Sequence, residues 1–223
     1  MAMGQAEVTE GLVEELSRFR AVVASCTGDE WESPTRCEGW TVADLAAHIT
    51  GVMADITAGR LEGVDTQPWY DRQVAERRGR PQEAILDELD AVIRATSDLL
   101  GLFDEAAWCG PAAPGIDGTL GAAMRSLWAG TYIHVEDVLA ALGREPQRGP
   151  GLAAAVDHIV DQLTARGWGP ASVELDDLGI VEIGRGGRRI ETDALTFVLV
   201  ASGRSDPSLL GVDESVNVYR TTA

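Results

Sequence analysis

Three histidines, His48, His134 and His158, carry most of the chemistry this chain can offer. His48 shares a helical phase with Asp44 and Asp55, and His134 is followed one turn later by Asp137 in Trp128-Ala129-Gly130-Thr131-Tyr132-Ile133-His134-Val135-Glu136-Asp137. Two histidines brought together from facing helices can ligate a divalent metal, or can exchange protons near neutral pH without one. Spacing alone demands neither role: a histidine on a partly apolar helix face also serves as a satisfied core residue, and no H-E-x-x-H cluster is present. Cys37 lies just before a helix start, where the dipole stabilises a thiolate, but it reads first as packing beside Trp40. The cysteines Cys26, Cys37 and Cys109 form no C-x-x-C, which argues for reduced thiols rather than a disulfide framework or a zinc knuckle. No G-x-S-x-G is found, and Gly184-Arg185-Gly186-Gly187 reads as a hairpin turn rather than a phosphate cradle.

Positioning these residues falls to helices. Leu12, Val13, Leu16, Phe19, Val22 and Val23 mark an amphipathic first helix. A second begins at Thr41, with Asp44 closing a short capping box, and its stripe of Val42, Leu45, Ala46, Ile49, Val52, Met53 and Ile56 runs to about Ala58. From Gly59 to Pro81 a long connection has Trp69-Tyr70 as its large apolar pair; links between bundle helices usually span about 2–8 residues, so this one is flexible or functional. A third helix follows Pro81, a fourth runs from about Thr119 to Leu142, and a fifth from about Gly151 to Ala165. Beyond Gly167-Trp168-Gly169-Pro170 the period changes to three short strands, 171–175, 179–183 and 188–191, then an apolar helix over 193–201. The expected architecture is mainly α: a helical bundle over 1–168 and a small α+β domain over 169–223.

With 45% hydrophobic and 24% charged residues the 223-residue chain is a globule rather than a disordered segment. Its formal charge of −18, with every basic residue an arginine and no basic stripe, disfavours nucleic acid and anionic membranes as partners. No apolar run is long enough to span a bilayer and no leader pattern opens the chain, so the expected location is cytoplasmic.

Several segments together resemble one family. Thr35-Arg36-Cys37-Glu38-Gly39-Trp40-Thr41-Val42-Ala43-Asp44-Leu45-Ala46-Ala47-His48-Ile49 is similar to the T-x-C-x-G-W-T-V-x-D-L-x-x-H-L signature of the mycothiol-dependent maleylpyruvate isomerases, of the DinB-like four-helix bundle superfamily. His134-Val135-Glu136-Asp137-Val138-Leu139-Ala140-Ala141-Leu142-Gly143 resembles the second block of that family, and Phe197–Arg204 with Val216–Arg220 resembles its C-terminal segments. The resemblance implies an up-down bundle holding a divalent metal, typically zinc. Its ligands are one histidine of the second helix, and an acidic residue with a histidine four positions later. It also implies mycothiol, the small cytoplasmic thiol of actinobacteria, as cosubstrate: the thiol adds to a cis double bond and leaves after rotation, or is transferred. His48 and His134 match the two histidine positions, as metal ligands or as catalytic acid/base groups; the position four before His134 is Gly130, which has no side chain to ligate.

A third ligand must then come from elsewhere, with Asp55 and Asp137 nearest by helical phase, Asp44 used as a cap, Glu136 pointing away, and His158 within reach only if the fifth helix packs over the bundle mouth. Arg204 and Arg220, in the C-terminal blocks, stand either to bind a substrate carboxylate or to make surface or interdomain salt bridges. Two readings follow: a metal-assisted isomerase or thiol S-transferase acting on a small organic acid or electrophile, or a metal-free small-ligand-binding protein whose pocket Gly130 enlarges. Either is expected to act as a monomer or homodimer on a small molecule.

Overall fold

On the first helix, α1 (Gln5–Ala24), Val8, Leu12, Leu16, Phe19 and Val23 recur at helical spacing and are all buried. The structure, a computed structural model, describes residues 3–176 and 178–219. After a short α2 (Gly28–Trp31), α3 (Val42–Thr57) starts at Thr41, whose hydroxyl accepts from the Asp44 N–H while the Asp44 carboxylate accepts from the Thr41 N–H, the expected capping box. The long connection holds a helix of its own, α4 (Gln67–Ala75). It is followed by α5 (Gln82–Leu100), a short α6 (Glu105–Cys109) and α7 (Leu120–Ala141).

Helix α1 packs on α5 and α7, and α3 on α4, α5 and α7, so that the four long helices enclose one core. Close approach is written into the sequence at two glycines. A Cβ on Gly11 would fall 2.2 Å from the Trp128 indole, and one on Gly51 would fall 2.5 Å from Gln73 Cβ, so these positions let α7 and α4 lie against their neighbours.

The chain forms two compact units, Met1–Gln147 and Arg148–Ala223. By this division α8 (Pro150–Ala165), counted with the bundle from sequence, lies in the second unit. Its apolar residues serve α9 (Ala194–Ala201) and the sheet instead. That sheet consists of β1 (Ala171–Leu175), β2 (Gly179–Ile183) and β3 (Arg188–Thr192) in the order β2-β1-β3. β1 runs antiparallel to β2 and parallel to β3, and Val173 pairs with both Val181 and Ile190. The molecule is mainly helical with a small C-terminal β-containing region, and among the described residues no helix is long and apolar enough to cross a membrane.

Candidate functional site

The residues before α3 make a tight turn that presents two side chains. Thr35 N–H donates to the Trp40 carbonyl at 3.0 Å, Trp40 N–H to the Cys37 carbonyl at 3.0 Å, and Cys37 N–H to the Thr35 hydroxyl at 3.2 Å. Gly39 closes the turn at φ +77°, a left-handed conformation that a side chain would strain. Cys37 and Trp40 are thereby fixed at the start of α3, ahead of the helical turns that carry His48.

The His48 ring is surrounded by rings from three other segments. Trp40 lies 4.9 Å from it between centroids, Tyr70 of α4 5.1 Å, and His134 of α7 5.3 Å, the last two edge-on. His48 is 8% exposed, and its Nδ1 is buried with no hydrogen-bond partner. Burial, reinforced by the nearby charge of His134, lowers its pKa well below the usual imidazole value, so the ring is neutral and keeps a lone pair. Across from it, His134 Nδ1 lies 3.0 Å from Asp137 Oδ2. Asp137 is fully buried and also accepts from the Cys37 thiol, Sγ to Oδ2 3.5 Å, while the same Sγ is 4.0 Å from His134 Nδ1. One ligand-type atom from each of Cys37, His134 and Asp137 lies within 4.8 Å of the others.

These donors suit a divalent metal. Tetrahedral zinc at ordinary bond lengths spaces sulfur, nitrogen and oxygen ligands by about 3.3–3.6 Å, and the triangle of 3.0, 3.5 and 4.0 Å departs from that by about half an ångström at most. The orphaned Nδ1 of His48 is a further buried polar atom beside the cluster, of the kind a neutral imidazole offers a metal.

The structure thus brings His48 and His134 together, as their helix positions suggested. At Gly130 a Cβ would meet nothing within 4 Å, and the carboxylate of the cluster is that of Asp137, one turn after His134 rather than one turn before. Cys37, read from sequence as packing, is part of the cluster; its place in the T-x-C-x-G-W turn was the available signal. Tyr70 was visible only as half of an apolar pair in a long connection.

Asp55, the other carboxylate suggested by phase, is consumed elsewhere by Arg60, Arg72 and Gln73. Asp44 is occupied by its cap and by Arg78, and Glu136 by Arg18 and the Gln147 N–H. His158 is buried on α8, in the second unit. Arg204, also in that unit, donates to the Ser202 carbonyl at 3.0 Å and stacks over Tyr219; Arg220 lies outside the described residues.

Comparison with known proteins bears on the family and the fold. Residues 12–139 match the family model described as the mycothiol maleylpyruvate isomerase N-terminal domain. Solved structures of the mycothiol-dependent maleylpyruvate isomerase and of a histidine-to-alanine mutant of it superpose with TM-scores of 0.71 and 0.70 at 15% identity, over 95% of this chain and 96% of theirs. A comparison with curated protein sequences finds no match.

Proposed function

The chain belongs to the family of the mycothiol maleylpyruvate isomerase N-terminal domain, and from that premise we propose that it is a DinB-like, mycothiol-dependent and metal-assisted isomerase or thiol S-transferase acting on a small unsaturated organic acid or electrophile. The observation that carries this reading is the meeting of His48 with the His134–Asp137 pair inside the bundle. His134 and Asp137 would hold the metal, with His48 beside it. A divalent metal supplies acidity: a thiol that ligates it is deprotonated near neutral pH, provided a coordination position is open.

The protein's own groups do the rest. Without metal the Asp137 carboxylate pairs with His134 Nδ1, a contact that ligation would replace, and burial keeps His48 neutral, so that its lone pair is available to a metal or to a proton in transit. Trp40 and Tyr70 line the other sides of His48 and restrict water. In an isomerisation the thiol sulfur bonds to one carbon of a cis double bond, the resulting single bond rotates, and the carbon–sulfur bond breaks to return the trans alkene and the thiol.

The metal-free binding reading keeps one supporting observation, the open space at Gly130. The two are separated by measuring divalent metal in protein purified without chelator, and by assaying maleylpyruvate isomerisation with and without mycothiol. Near-stoichiometric metal and a thiol-dependent activity lost in His134→Ala are expected. A metal-free protein with no thiol dependence would instead favour the binding protein.

A further inference from the structure

We infer that Cys37 is a metal ligand, its thiolate supplying the charge and the third donor that Gly130 cannot. This inference rests on the metal-assisted reading above and specifies its ligand set. Sγ of Cys37 stands 3.5 Å from Asp137 Oδ2 and 4.0 Å from His134 Nδ1, so one ion can touch all three with little movement. The thiol is also held in place by backbone. Its own N–H is tied to Thr35, its carbonyl accepts from Trp40, and Gly39 sets the turn, so ligation requires little ordering of a flexible segment.

Charge points the same way. Histidines alone leave a dipositive ion uncompensated in a buried site, whereas one thiolate and one carboxylate neutralise it. The unpartnered, buried Nδ1 of His48, whose ring contacts that of His134, is an independent sign that this region is built around a group beyond the protein's own hydrogen bonds. A sulfur donor also has consequences for selectivity: a Cys-His-Asp set favours zinc or cobalt over magnesium or manganese, which take oxygen ligands. Neither of the other thiols is so placed, since Cys26 is buried with its pKa raised by that burial and Cys109 is exposed at the end of α6.

Cobalt(II) loaded into the reduced full chain tests the assignment. A Cys109→Ser background removes the exposed thiol and should leave every result unchanged. The expected result is a near-ultraviolet thiolate-to-cobalt charge-transfer band, absent from Cys37→Ser, together with zinc binding at least ~10-fold weaker in that variant. Because Cys37→Ser could fold poorly, alkylation of the unmutated chain provides a second reading: zinc should protect Cys37, and in the unmutated chain Cys109 should react regardless. Cobalt ligand-field bands without a charge-transfer band, or zinc that fails to protect Cys37, would overturn the thiolate ligand while leaving the metal reading intact. No cobalt spectrum at all would overturn both.

Discussion

Two aspartates on facing helices of the bundle have the same burial and different employment. Asp55 on α3 and Asp137 on α7 are both fully excluded from solvent. Asp55 accepts from Arg60 at 2.7 Å, from Gln73 at 2.9 Å and from Arg72. Burial acts to raise its pKa, but the hydrogen bonds from Gln73, Arg72 and Arg60 together outweigh that and hold it below the ordinary carboxylate value. Asp137 instead meets an imidazole and a thiol, groups that can exchange a proton for a metal. Permanently charged arginines make a structural clamp, and titratable soft partners make a site. Burial by itself distinguishes neither.

Replacing each carboxylate separates the two roles. Asp55→Asn should cost about 2–3 kcal/mol in chemical denaturation. That is below the usual cost of breaking a buried ion pair because Arg60 and Arg72 are 56% and 40% exposed and can return to water. Zinc should stabilise that variant as much as the parent. Asp137→Asn should change metal-free stability by less than about 1 kcal/mol and remove much of the zinc response, with ~1.4 kcal/mol lost for each tenfold loss of affinity. A zinc response equal to the parent's would place Asp137 with Asp55 as a structural residue.

Acid titration sharpens the contrast with a third buried carboxylate. Glu136 has its pKa raised by burial, against the lowering effect of its bonds to Arg18 and the Gln147 N–H. A lowered group such as Asp55 contributes stability above the ordinary carboxylate value, and this is lost as pH falls through its folded pKa. A raised group does the reverse: its contribution is complete below the ordinary value and is lost as pH rises through the folded pKa. The advantage of the parent over Asp55→Asn should therefore shrink on acidification, while its advantage over Glu136→Gln should grow. Parallel denaturation series carried from pH 7 to below the ordinary aspartate value of 3.8 would show the two slopes, and slopes of the same sign would refute the assignment.

The smallest effect concerns Gly130. Both Gly130→Glu and Gly130→Gln place a better helix former where a Cβ meets nothing, for a gain of about 0.5–1 kcal/mol without metal. Cys37 and Asp137 already supply the charged ligands, so zinc should raise the two melting temperatures alike. A larger zinc response in the glutamate variant would mean that a ligand position stands open on the Gly130 side of His134.

Much of this was readable along the chain. The α1 stripe, the Thr41–Asp44 cap and the run ending at Ala141 are local signals, and each produced the helix expected of it. Other features were not readable, because they depend on which surfaces meet. The face of α8 that suits a bundle core serves equally well against α9, and nothing in its own period says which. The β1–β3 pairing is parallel and skips a strand, so its register comes from the sheet rather than from a turn. Asp55 and Asp137 both sit at sensible phases for a ligand. Only the approach of α4 to α3, permitted by Gly51, delivers Arg72 and Gln73 to Asp55.

What the amino-acid order determined by itself is whatever depends on neighbours within a turn or two: the helices, their caps, the phase of His48 on one helix and of His134 with Asp137 on another, and the tight turn that holds Cys37. Only the tertiary structure decided the chemistry of the site. A ligand set is a matter of a few ångströms between atoms far apart in the chain, and whether a buried carboxylate meets guanidinium, imidazole or thiol depends on which helix packs beside it.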